Sequence, residues 1–72
     1  MAEQVRTALR ILRRKQVEAQ SGLSRSTIYS RMAEGTFPRA VSIGPHAVGW
    51  VASEIDDWIA AQIAQRDSQV AA

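Results

Sequence analysis

The side chains with chemistry to offer in this chain are cations and hydroxyls, and they cluster. Arg25, Ser26, Thr27, Tyr29, Ser30 and Arg31 fall within seven residues, and Arg13, Arg14 and Lys15 form a run of their own. Serine and threonine hydroxyls can donate to or accept from base edges, and an arginine can bond guanine through two parallel hydrogen bonds. A short cationic run suits phosphate oxygens instead, which give affinity and register but no sequence choice. Both clusters lie in a basic half. Residues 1–39 carry eight Lys and Arg against three Glu, while residues 40–72 carry one Arg against four carboxylates. That lopsidedness, hidden inside a net charge of +2, favours a polyanionic partner. The plainer reading is a set of solvated arginines.

Other chemistries find little material. There is no cysteine, hence no disulfide, zinc finger or thiol nucleophile. His46 is the single histidine; one imidazole makes no zinc site, and no nucleophile-elbow motif stands near it. Catalysis, a metal and a cofactor are therefore not expected. Trp50 and Trp58 could stack on single-stranded bases, but both sit on apolar faces and are expected in the core. No apolar run reaches the ~18 residues of a membrane span, and Met1 to Thr7 has no apolar stretch resembling a signal peptide. The expectation is a soluble cytoplasmic protein.

Seventy-two residues allow one small domain, and the elements that must position these groups can be read along it. Residues 1–9 are expected as a flexible arm, residues 10–65 as the domain and residues 66–72 as a flexible tail. Ile11 and Leu12 suit a short strand or an extended segment. Residues 14–21 read as a weakly amphipathic helix anchored by Val17, with help from Ala19 or the stem of Gln20, and Gly22 supplies a left-handed stop. Ser24 is a good N-cap for a second helix ending at Glu34, before Gly35 and Pro38. Ile28 and Met32, four apart, form its buried stripe. Two short helices joined by Gly22-Leu23-Ser24 make a helix-turn-helix pattern.

Beyond Pro38 the apolar period falls to two. Val41 and Ile43, then Val48 and Trp50, read as the apolar face of a β-hairpin with its tip at Gly44 to Ala47. Ser53 and Asp56 resemble a capping box at the start of a last helix, and Ile55, Trp58, Ile59 and Ile63 form its core stripe. The fold class is mainly α with a small β-hairpin.

With Ile28 and Met32 inward, Ser26 and Ser30 point outward, with Thr27 beside them and Tyr29 and Arg31 flanking. Small hydroxyls with a neighbouring cation fit the floor of a major groove, where bulk would hold a helix away. Arg25 lies nearer the inward side but in the first turn, the end of a recognition helix that meets bases. The competing reading is a solvated polar face. Arg13, Arg14 and Lys15 stand where a first helix crosses the sugar-phosphate backbone. Arg39 at the base of the hairpin and His46 at its tip are the groups a wing would offer a minor groove. Tyr29 is suited either to packing its ring at the domain edge or to reaching a phosphate with its hydroxyl.

The segment Gly22-Leu23-Ser24-Arg25-Ser26-Thr27-Ile28-Tyr29, followed by Glu34-Gly35 and Phe37-Pro38, resembles the AlpA-type phage regulators, which group with the excisionases among MerR-like winged-helix proteins. Ile43-Gly44-Pro45, Val48-Gly49-Trp50 and Ser53 to Ile59 fit the same pattern in the same order. The likeness spans about residues 11–64. It implies a MerR-like winged helix-turn-helix and a small protein of a prophage or integrative element that binds double-stranded DNA. Such a protein regulates transcription, often of an integrase, or acts as an excisionase, a recombination directionality factor that bends DNA at an attachment site. By matching position, Arg25, Ser26, Thr27, Tyr29 and Arg31 form the recognition element and Gly44 to Ala47 the wing. The chain lacks the long dimerisation helix and effector domain of larger MerR regulators, so no small-molecule effector is expected. Gln20 stands where an apolar residue would suit the first helix better.

A single module of this size buries roughly 600–1,000 Å² on DNA, so useful specificity points to further copies of the chain on adjacent sites. Two other classes compete. One is a protein-interaction module whose acidic last helix holds an integrase or polymerase subunit, and the other is an RNA binder using the same basic face.

Overall fold

The computed structural model describes residues 9–70. The expected arm lies outside the described residues, apart from Leu9, which is 65% exposed. Strand β1 (Ile11–Leu12) leads into helix α1 (Arg14–Ser21) and helix α2 (Arg25–Glu34); strands β2 (Val41–Gly44) and β3 (Ala47–Val51) follow, then helix α3 (Ala52–Val70). The protein is mainly helical with a three-stranded antiparallel sheet in the order β1-β3-β2, compatible with a winged helix-turn-helix.

Backbone chemistry fixes the turn between α1 and α2. Gly22 adopts φ 77°, and its N–H bonds the Glu18 carbonyl at 2.8 Å, a left-handed close that a Cβ would strain. Two residues on, the Ser24 hydroxyl accepts from the Thr27 N–H at 3.3 Å, capping α2. At the far end Gly35 is again left-handed, and the Thr36 N–H returns to the Arg31 carbonyl at 2.9 Å.

The core is Leu12, Val17, Ile28, Phe37, Trp50, Ala52 and Ile55, with Leu23, Met32, Ala40, Trp58 and Ile59 packed at its margin. Every element except β2 contributes at least one of these. Trp50 is fully buried and donates Nε1–H to the Pro38 carbonyl at 3.1 Å. Trp58 is half-buried; its Nε1–H reaches the Thr36 carbonyl at 2.8 Å and its ring meets Phe37 edge-on. The two indoles thereby pin the α2–β2 connection to the sheet and to α3.

Register overturns part of the hairpin expectation. Val41 pairs with Gly49 and Ser42 with Val48, and directly paired residues share a face. Val48 and Trp50 therefore point one way, while Val41 and Gly49 point the other, and a bulge lies between Ser42 and Gly44. Val41, Ile43 and Val48 remain 40%, 44% and 37% exposed. Of the four expected on a buried face, only Trp50 is in the core. The inward partner of Trp50 is Leu12 of β1, its neighbour across the ladder.

Three helical expectations also change. Ala19 and Gln20 are exposed, leaving Val17 as the buried residue of α1. Helix α3 starts at Ala52, one residue before Ser53, because β3 runs straight into it; the Ala52 N–H is satisfied by the Arg10 carbonyl at 2.7 Å. Its stripe ends at Ile59, since Ile63 is 47% exposed, while the helix itself continues through Val70.

Gly49 is the tightest point of the sheet. A Cβ there would collide with the Ile11 side chain and press on the Leu12 carbonyl. Gly49→Ala is expected to destabilise the domain by about 1–3 kcal/mol, the usual cost of overpacking. Adding Ile11→Ala should recover much of that loss, because the colliding methyl leaves. Equal thermal melting of Gly49→Ala and the parent would show that the strands part freely.

Candidate nucleic-acid interface

The folded chain gathers Arg13, Arg14, Lys15 and His46 on one concave side. A cleft of about 280 Å³ is lined by Arg13, Arg14, Lys15, Tyr29, His46 and Val48. It joins the start of α1, the middle of α2 and the tip of the hairpin, three segments spread over 36 residues of sequence.

Each wall has a local cause. Arg13 occupies the N-cap of α1, and its backbone N–H bonds the Gln16 side-chain oxygen at 2.8 Å, leaving the guanidinium exposed. No acidic residue lies in the first turn of α1. Arg13, Arg14 and Lys15 therefore crowd the positive end of the helix dipole, an unfavourable arrangement that a bound anion would relieve. Arg14 is partly committed, with its Nε 3.0 Å from Glu18 one turn along. Arg13 and Lys15 make no ion pair among the described residues.

The hairpin tip is Pro45-His46. Proline fixes its own φ near −65°, and His46 follows at φ 60°, as a type II turn requires at its third position. Histidine tolerates this region better than most residues. The exposed imidazole then lines the cleft opposite α1. Val48, which sequence reasoning assigned to the core, lines the same cleft. Only the strand register could have placed it there.

Helix α2 presents the hydroxyl surface. Ser26 and Ser30 are exposed and Thr27 is half-buried. Near the cap, Ser24, Ser26 and Thr27 form a short hydroxyl chain, with Ser24 Oγ 2.9 Å from Thr27 Oγ1 and 3.4 Å from Ser26 Oγ. Tyr29 is 38% exposed, its ring edge-on to Trp50 with centroids 6.2 Å apart, so the ring packs at the domain edge. Arg25 is exposed and lies over that ring, its guanidinium carbon 5.3 Å from the centroid. Arg31 is half-buried in the last turn of α2.

Arg25, Ser26, Thr27, Ser30, Arg31 and Arg39 do not line the cleft. Arg39 lines a separate groove with Phe37, Pro38, Val41, Glu54 and Asp57. No group of His, Cys, Asp or Glu among the described residues could hold a metal ion, and no described helix is long and apolar enough to cross a membrane.

The model of the family described as prophage CP4-57 regulatory protein (AlpA) matches residues 10–63, through β1, both short helices, the hairpin and the buried part of α3. The chain belongs to the AlpA family. Among its relatives is "Uncharacterized protein ORF88" of Enterobacteria phage P4, 47% identical over 60 residues that cover 83% of this chain and 68% of that one. Another is "DNA-binding transcriptional activator AlpA" of Escherichia coli (strain K12), 40% identical over 60 residues covering 75% of this chain and 86% of that one. The AlpA match takes in the whole cleft, and it ends within α3 one turn beyond Ile59, the last residue of that helix packed on the core.

Proposed function

We infer that this chain is a sequence-specific double-stranded DNA-binding regulator of transcription, carried by a prophage or integrative element. The observation that carries this is the single cleft uniting Arg13, Arg14, Lys15 and His46 beside the hydroxyl face of α2. The family membership and the name of the Escherichia coli relative support it. In use, α2 enters the major groove with Arg25, Ser26, Thr27 and Ser30 toward base edges and Arg31 alongside. The cations at the start of α1 take phosphate oxygens, and His46 carries the wing to the flanking groove. Arg39, at the base of the hairpin, reaches DNA only where the duplex bends toward it.

The same surface serves two outputs of a MerR-like winged helix: promoter control, and excision, in which the bound duplex is bent for an integrase. Copies on adjacent sites supply the specificity that one module lacks. Selection of bound duplexes from a randomised pool tests the DNA function. The expected result is an enriched motif whose affinity falls with salt at a log–log slope near −0.9 per phosphate contact. Equal competition by duplex RNA, or binding indifferent to salt, would contradict it.

A further inference from the structure

Tyr29 stands between the buried Trp50 and the exposed Arg25, and its contacts on both sides are specific. On the inner side its ring meets Trp50 edge-on, at 69° between planes. Trp50 cannot yield, being fully buried and tied through Nε1 to the Pro38 carbonyl. On the outer side the Arg25 guanidinium lies over the Tyr29 ring, one helical turn away. Arg25 has no carboxylate partner among the described residues.

That distinction matters chemically. A carboxylate partner would occupy the N–H groups of an arginine, as Glu18 occupies Nε of Arg14. An aromatic ring holds the guanidinium by its flat face and leaves the five N–H donors free at the edge. Reading guanine needs just those edge donors, in parallel to O6 and N7.

We propose that Tyr29 is a positioning residue, which holds Arg25 by its face and so makes it the guanine-reading arginine of α2. This rests on the DNA-binding function inferred above and adds to it a base, a reader and the device that orders the reader. A mobile arginine at the same position would be drawn to any nearby phosphate; an ordered one discriminates. The hydroxyl of Tyr29 is not required, so phenylalanine should serve and an aliphatic residue should not.

The test uses the full chain and the duplex enriched by the parent protein. Discrimination is the ratio of affinities for that duplex and for one with its contacted guanine replaced. Arg25→Ala should reduce discrimination roughly tenfold or more, and Tyr29→Leu about three- to tenfold, while its salt slope stays unchanged. Tyr29→Phe should stay within about twofold of the parent. Tyr29→Leu combined with Arg25→Ala should lose no more than Arg25→Ala alone, since both remove one coupled unit. Thermal melts show which variants fold. Independently of any variant, ¹⁵N relaxation of the Arg25 Nε–H in the parent should report a more ordered side chain than that of Arg13.

Wild-type discrimination in a folded Tyr29→Leu variant would overturn the proposal, as would an Arg25 Nε–H as mobile as that of Arg13. Equal losses in Tyr29→Phe and Tyr29→Leu would assign the effect to the hydroxyl and overturn it too. Failure of the parent to enrich any duplex is a different outcome. It would remove the DNA-binding function itself, and the proposal with it.

Discussion

Trp50→Ala is expected to be the most damaging single substitution in the domain, lowering its stability by about 3–5 kcal/mol. A single core in a domain of this size supplies only about 3–5 kcal/mol in total, so the variant should be largely unfolded near body temperature. The cause is concentrated in one side chain. Trp50 is fully buried and lies across the ladder from Leu12. It also satisfies the Pro38 carbonyl and forms the floor under Tyr29. Its removal leaves a cavity where sheet and α2 meet, and an unpartnered carbonyl beside it. Circular dichroism melting should show a fall of roughly 15 °C or more, given ~4–8 °C per kcal/mol for a domain of this size. Trp58→Ala should cost visibly less, because that indole is only half-buried. A Trp50→Ala melt within a few degrees of the parent would mean that the core lies elsewhere.

The second large effect concerns binding. Replacing Arg13, Arg14 and Lys15 together by alanine should make the salt dependence of duplex binding shallower by about 2–3 in log–log slope, at ~0.9 per lost phosphate contact. With binding at 1 M salt as the common reference, that amounts to roughly 45- to 300-fold weaker binding near 0.15 M. Arg14 should contribute least of the three, being partly committed to Glu18. The enriched base motif should not change, since phosphate contacts carry no sequence information. Stability should hardly move, as among the described residues the only ion pair lost is a partly exposed one within α1. An unaltered slope would place the phosphate contacts on another face.

Local signals made the helix-turn-helix legible before any fold was known. Gly22, Ser24 and Gly35 each act through their own backbone or an amide within three residues, and each does in the structure what its type predicts. The hairpin was less legible, for a physical reason. Val41, Ile43, Val48 and Trp50 alternate correctly within each strand, but alternation does not say which residues pair. Pairing of Val41 with Gly49 and the bulge after Ser42 split the four between two faces. The pairing of Ile11 and Leu12 with Val51 and Trp50 depends on residues about forty positions apart, which no window on the chain contains.

The same limit shaped the site. Arg13, Arg14, Lys15, Tyr29 and His46 were each identifiable by type, yet their convergence depends on the hairpin tip folding back toward α1. Val48 entered with the register, and Arg39 went to the groove beside Glu54 and Asp57, although its position in sequence put it at the base of the wing. The face of Arg25 on Tyr29 follows from an i, i+4 spacing visible in the sequence. What the sequence did not show was Trp50 behind it.

The most direct test of the binding face is a titration of ¹⁵N-labelled protein with its enriched duplex, followed by amide chemical shifts. The expected result is that the large changes fall on Arg13 to Lys15, on Arg25 to Ser30 and around His46, while Ala60 to Gln69 of α3 stay unmoved. Shifts centred on α3, or on the groove of Glu54 and Asp57 with α2 silent, would contradict DNA recognition through this face.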